Sequence, residues 1–228
     1  MLRIAKIGFL LMVFSLPFMK PAIAVQNFAV TSTDVLFLLT TACLMIAMAR
    51  GEVRLSWDKL YGVLLAFFAV MLLSALTADD PGRARFKLAT QLYLLSLPLL
   101  AATLVTNREE LRAVFGTWLA ATAITAAIGS LTVLLFAVGV ERPLGGYAQH
   151  GTGTLPPGNY TRIESTFDYP AMLCNYLTVS ISILLLSRHF GWVSSITGWL
   201  LFAMIAVTAA FSLTPGLGGV FLALGLWA

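Results

Sequence analysis

The residues best able to do chemistry lie in one stretch, Arg162-Ile163-Glu164-Ser165-Thr166-Phe167-Asp168-Tyr169-Pro170, which runs directly into an apolar segment. An arginine at the mouth of a helix bundle presents a planar fork of donors that matches phosphate oxygens. The competing role for such an arginine is contact with lipid headgroups. Asn175 follows, one helical turn beyond Ala171. A second set of cations, Arg83, Arg85 and Lys87, stands just after Asp80-Pro81. Other chemistries lack their residues. The sequence G-x-x-x-x-G-K-[ST] of a phosphate loop is absent. His150 and His189 have no acidic or thiol partner at metal-ligand spacing, and no nucleophile triad or carboxylate pair falls within one element. Cys43 and Cys174 lie inside apolar runs, which points to packing and not to a disulfide or a zinc site. Neither a metal nor a cofactor is expected.

The elements that must position these residues are legible from composition. Of 228 residues, 59% are hydrophobic and 11% charged, against about 45–50% and about 25% in a soluble domain. Mean hydropathy is +0.91. So much apolar surface with so few charges excludes a soluble globule, a disordered chain and a disulfide scaffold. The net charge of +4 is spread between apolar runs and forms no basic face, so nucleic acid is not an expected partner.

A helix needs about 20 apolar residues, at 1.5 Å each, to cross a hydrocarbon core of about 30 Å. The runs that qualify start with Ile7 to Met19, continued to Ala29, then Val35 to Ala49, Leu60 to Ala78, Leu88 to Asn107 and Ala113 to Val140. Tyr169 to Ser187 and Phe190 to Ala228 complete the set. The last would be roughly 58 Å as one helix, so it is expected to break at Thr214-Pro215-Gly216. The 12 residues after Gly216 are too few to span. The expected fold is an all-α membrane bundle of seven spans and a truncated eighth, one transmembrane domain over 1–228 that forms the front part of a longer protein. Asp80-Pro81 reads as an N-cap followed by proline at the first helical position, and Asn107 with Glu110 as a capping box. In the fifth run, Gly116, Ala120, Ala123, Ala127 and Gly129 are small enough to allow close helix contact.

Arg3, Lys6, a short apolar run and Ala22-Ile23-Ala24 have the pattern of a secretory signal, but Lys20-Pro21 interrupts the approach to the cleavage site. The reading retains this segment as a kinked first helix; cleavage would leave the remaining topology unchanged. With the N-terminus cytoplasmic, the inner segments hold eight Lys and Arg and the outer ones six, in the sense of the positive-inside rule. The one long polar connection, Glu141 to Asp168, then falls outside. Five glycines and three prolines rule out a continuous helix there, while Tyr147, Tyr160 and Phe167 suit a semi-ordered loop, about 141–169, at the membrane interface.

RIESTFDYPAMLCNYL, from Arg162 to Leu177, resembles the signature that opens the core of the O-antigen ligase and polymerase superfamily, approximately R-x-x-G-[TL]-F-x-x-P-N-x-x-A-x-x-L. Thr31 to Leu36, the LSALTADDP stretch and FSLTPGLGG are similar in layout to other parts of that family. Glu164-Ser165 stands where the pattern has glycine, Ala171 where it often has asparagine, and Thr214-Pro215 where Ser-Arg is frequent. Neither His150 nor His189 matches the histidine of the family's later outer loop.

The resemblance implies a bacterial inner-membrane glycosyltransferase, metal-independent. Its donor is a glycan on a polyprenyl pyrophosphate, its acceptor a saccharide or the lipid A core, and its surroundings membrane lipids. By that resemblance the substrate-binding residues are Arg162 first, then Arg83 and Arg85, with Asn175 beside them; the catalytic base is unassigned. The alternatives from other classes are a transporter or flippase for a lipid-linked or anionic solute, and a non-catalytic fragment.

Overall fold

The computed structural model describes residues 1–19, 23–25, 28–55, 59–140, 149–153, 160–212 and 214. The chain is mostly helical, and its elements run α1 (Leu2–Ser15), β1 (Ile23–Val25), β2 (Phe28–Val30), α2 (Ser32–Ala49), α3 (Lys59–Leu76), α4 (Pro81–Leu104), α5 (Arg108–Ala137), β3 (Gln149–Gly153), β4 (Tyr160–Ser165), α6 (Pro170–His189) and α7 (Ser195–Phe211). Each helix falls on one of the apolar runs. Four of them, α2, α4, α5 and α6, are long and apolar enough to cross a membrane, while 61–76 of α3 and all of α7 form shorter apolar helices.

Local chemistry sets the boundaries. Asp80 caps α4 by accepting the Arg83 amide at 3.0 Å, with Pro81 at the first helical position, as expected from the sequence. Thr31 and Asp34 close the start of α2: the carboxylate accepts the Thr31 amide and hydroxyl, each at 2.8 Å. Helix α5 begins at Arg108, immediately after Asn107. Three helices end alike. Gly51, Gly139 and Gly191 adopt positive φ of 71°, 87° and 69°, and the following amide reaches back over the turn, as from Trp192 to the Ser187 carbonyl at 2.8 Å. This is the Schellman arrangement, in which a left-handed residue lets the chain satisfy the last helix carbonyls.

The turn at Gly191 corrects one boundary. The apolar run from Phe190 is not helical from its start, because Gly191 ends α6 and Ser194 opens α7 by accepting the Thr197 amide at 3.2 Å. Helix α7 stops at Phe211, where the Ser212 hydroxyl donates to the Ala209 carbonyl at 2.7 Å. Of the expected break, Thr214 is described and buried; Pro215, Gly216 and the residues to 228 lie outside the described residues, as do Lys20, Pro21 and Ala22 of the expected kink.

Two hairpins accompany the helices. β1 pairs antiparallel with β2, Ala24 opposite Ala29. β3 pairs antiparallel with β4, Arg162 opposite Gly151, with an irregularity between Gln149 and His150. The second hairpin occupies part of the connection that the sequence leaves without regular structure.

The Cα positions divide into two compact units, Met1–Phe9 with Leu38–Arg108, and Leu10–Phe37 with Glu109–Ala228. In the first, α3 packs on α4, and Gly8 brings the backbone of its helix against Thr40, whose hydroxyl oxygen a Cβ on Gly8 would meet at 2.6 Å. Glu52 accepts from the Leu2 amide at 2.9 Å and the terminal amine at 3.0 Å. The Leu2 amide first, then the amine, hold its carboxyl below the ordinary glutamate value. Val63, Phe67, Val70, Leu73 and Leu76 of α3 are exposed apolar side chains, which is compatible with a membrane-spanning helix.

The second unit has the denser core. Leu173, Leu177, Ile181 and Leu184 of α6 share one buried cluster with Leu201, Ile205 and Ala209 of α7, together with Ile163 of β4 and Phe167. Of the five small residues expected to open α5 to close contact, only Gly129 is buried; Ala123 is partly covered, and Gly116, Ala120 and Ala127 are exposed. The buried stripe is Thr122, Thr125, Gly129 and Thr132, at helical spacing. Thr122 and Thr132 return their hydroxyls to the preceding turn, to Trp118 at 2.9 Å and Ile128 at 2.8 Å, whereas the buried Thr125 hydroxyl has no hydrogen-bond partner among the described residues.

Candidate functional site

The motif that opens at Arg162 forms a strand, a tight turn and a helix start. β4 carries Arg162 and ends at Ser165, α6 begins at Pro170, and Thr166 to Tyr169 join them. Ile163 and Ser165 are both buried, two residues apart, as the period of a strand requires for one face.

Ser165 holds φ of +51°, the positive value among described residues other than glycine. For an L side chain that conformation costs about 1–2 kcal/mol. Its hydroxyl donates to the Thr125 carbonyl of α5 at 2.9 Å, which offsets part of that cost. The next residue is anchored as well: the Thr166 hydroxyl donates to the Pro17 carbonyl at 2.6 Å, and the Met19 amide donates to the Thr166 carbonyl at 3.2 Å. The Phe167 amide closes the turn onto the Glu164 carbonyl at 3.0 Å.

Below the turn, the Phe167 ring lies 5.4 Å from Tyr176, which stacks on Trp118 at 5.0 Å and 19°. A hydroxyl network continues from there. Trp118 Nε1 donates to Ser180 Oγ at 2.9 Å, and Thr122 Oγ1 lies 3.0 Å from both Tyr176 OH and Ser180 Oγ. Every described side chain in this network is neutral. These neutral partners tie α5 to α6.

The residues named from sequence are placed as follows. Arg162 is on β4, opposite Gly151, its side chain outside the described set. Asn175 is exposed on α6, as is Ala171 one turn earlier, while Leu173 and Leu177 are buried. Arg83, Arg85 and Lys87 are exposed near the start of α4. Arg162 and Asn175 belong to the second unit, Arg83 and Arg85 to the first. His150 is on β3, opposite Ile163, and His189 closes α6. Among the described residues no three His, Cys, Asp or Glu are grouped so as to hold a metal ion.

Sequence reasoning did not find the seat of this turn: Pro17, Met19, Thr125, and the Trp118, Thr122, Tyr176 and Ser180 network. One signal was available, the spacing of Thr122, Thr125, Gly129 and Thr132, which marks a single face of a helix. The arrangement places Arg162 on a strand that leads into a turn hydrogen-bonded to α5; among the described residues it brings together no paired nucleophile and base. Comparison with protein-family models, with curated proteins and with solved structures gives no match.

Proposed function

We propose that the protein is a multi-pass membrane glycosyltransferase of the O-antigen ligase and polymerase type. In this reading its seven helices are seven spans of a bacterial inner membrane, the N-terminus is cytoplasmic, and the β3–β4 hairpin lies outside. Arg162 binds the pyrophosphate of a lipid-linked glycan. The acceptor hydroxyl attacks the anomeric carbon as the bond from that carbon to the pyrophosphate oxygen breaks. A base takes the hydroxyl proton, and arginine donors stabilise the charge that develops on the leaving pyrophosphate.

The observation that carries this reading is the backbone of Ser165. It occupies the position where the resembled signature has glycine, three residues after Arg162, and it holds the positive φ of +51° that glycine adopts without strain. The departure at this position is therefore one of side chain and not of backbone path. Proline at the first position of α6 and a buried Leu177 agree with the same signature.

The test is transfer itself. Membranes carrying the protein, given a polyprenyl-pyrophosphate glycan and a saccharide acceptor, should yield the acceptor extended by a new glycosidic bond, with polyprenyl pyrophosphate released in equal amount. Movement of the donor between leaflets without bond formation would replace this reading with that of a flippase.

A further inference from the structure

Aromatic side chains flank α6 of the second unit at both of its ends. Tyr169, 64% exposed, precedes α6, and Phe190 and Trp192 follow it. The 20 residues of α6 between them rise about 30 Å, the thickness of a hydrocarbon core. Between these levels the outward side chains of α6 include Met172, Val179 and Leu186, all exposed and apolar.

The end where α6 turns into α7 is the more elaborate. The Phe190 and Trp192 rings lie 4.9 Å apart, and Trp192 meets Phe115 of α5 edge-on at 5.9 Å. Arg188 lies across the corner. Its guanidinium carbon stands 5.2 Å above the Trp199 ring, and Nη2 donates to Ser195 Oγ at 3.3 Å. Gly198 makes room for the arginine stem, since a Cβ there would meet Arg188 Cδ at 2.7 Å. Trp199 is 57% exposed, beside Ile196 and Leu200, which are more exposed still.

We propose that this corner is a lipid-binding collar seated at the headgroup level of one leaflet, in which Arg188 holds the phosphate of an anionic glycerophospholipid and Trp199 lies at its ester layer. Tryptophan favours that depth because its ring is apolar and its N–H is polar. A guanidinium stacked on a ring is held in one orientation, so less freedom is lost when it receives a phosphate. The spacing of the two aromatic levels identifies the occupant as a bilayer, and the cation identifies the headgroup charge. The proposal rests on the membrane-spanning reading and is independent of the Arg162 chemistry.

The experiment uses the protein in vesicles of phosphatidylcholine and phosphatidylglycerol. Tryptophan emission lost in Trp199→Phe is compared between lipids brominated near the ester group and lipids brominated near the chain terminus. The emission assigned to Trp199 should be quenched more by the shallow label. Quenching mainly by the deep label would overturn the collar, whereas no tryptophan quenched by either lipid would sink the membrane reading itself. Native mass spectrometry then counts phosphatidylglycerol retained through detergent. Retention should fall roughly ten-fold in Arg188→Ala, the loss of one charge-assisted hydrogen bond. It should also fall in Arg188→Lys, which keeps the charge and supplies a second test if the alanine variant folds poorly. Arg112→Ala, an exposed arginine of α5, should retain lipid normally. Equal retention in wild type and Arg188→Lys, or displacement of the lipid by inorganic phosphate, would contradict the assignment.

Discussion

The Ser165 hydroxyl donates to the Thr125 carbonyl at 2.9 Å across 40 residues of sequence, fixing a left-handed turn to the middle of a helix. Everything proposed for Arg162 depends on that turn, because it sets where β4 ends and α6 begins.

Replacement of Ser165 therefore separates backbone from side chain. Ser165→Gly loses one hydrogen bond, about 1 kcal/mol, and relieves about 1–2 kcal/mol of left-handed strain, so its thermal midpoint in detergent should stay near that of the wild type. Ser165→Val loses the bond and adds β-branched crowding at positive φ, and should be destabilised by about 2–4 kcal/mol. Equal midpoints for the valine and glycine variants would remove the turn from this account.

Gly129 brings the backbone of α5 against Thr208 of α7, and a Cβ there would collide with Thr208 Cγ2. Gly129→Ala should cost about 1–3 kcal/mol by overpacking. Gly116→Ala, with nothing within 4 Å, should cost nothing. Adding Thr208→Ser removes the methyl and keeps a hydroxyl for the Ala126 carbonyl, now bonded at 3.1 Å, so the double variant should recover most of the loss. Thermal melts of the four proteins check the pattern.

The hydroxyl network predicts non-additivity. Tyr176→Phe and Thr122→Val each break the 3.0 Å contact between their side chains, at about 0.6–1.7 kcal/mol apiece in a membrane bundle. Combined, they should cost clearly less than the sum. A strictly additive cycle in denaturation would mean that the two groups do not interact.

Topology is tested by labelling. With Cys43 and Cys174 replaced, cysteine at Gly153 should react with an impermeant thiol reagent from outside intact cells, and cysteine at the exposed Arg54 should not. The opposite pattern would put the hairpin on the wrong face for lipid-linked donors.

The helices were legible because an apolar run of spanning length admits little else, and Asp80-Pro81 announced its own cap. The Schellman ends were harder. Gly191 follows Arg188 and His189, a basic last turn that marks a helix end, but the charge-free run was counted from Phe190, so α7 was expected five residues early. The β3–β4 pairing was hidden because Gly151 and Gly153 carry no side-chain alternation, and only Ile163 and Ser165 show the period of two. For the candidate site, Arg162 was chosen from its local pattern. Its supports were not: Thr125 and Pro17 lie 40 and 149 residues from the groups they bind, and no local pattern carries that information.

The most direct test of the proposed chemistry is glycan transfer by membranes carrying Arg162→Lys, Arg162→Ala and Arg142→Ala at matched expression. A planar fork binding pyrophosphate is not replaced by a point charge, so lysine and alanine at 162 should both lose about 2–4 kcal/mol of transition-state stabilisation, roughly 30- to 1000-fold in rate. Arg142→Ala, outside the motif, should change the rate little. Wild-type transfer by Arg162→Lys, or a loss in Arg142→Ala as large as in Arg162→Ala, would contradict the assignment of the pyrophosphate to Arg162.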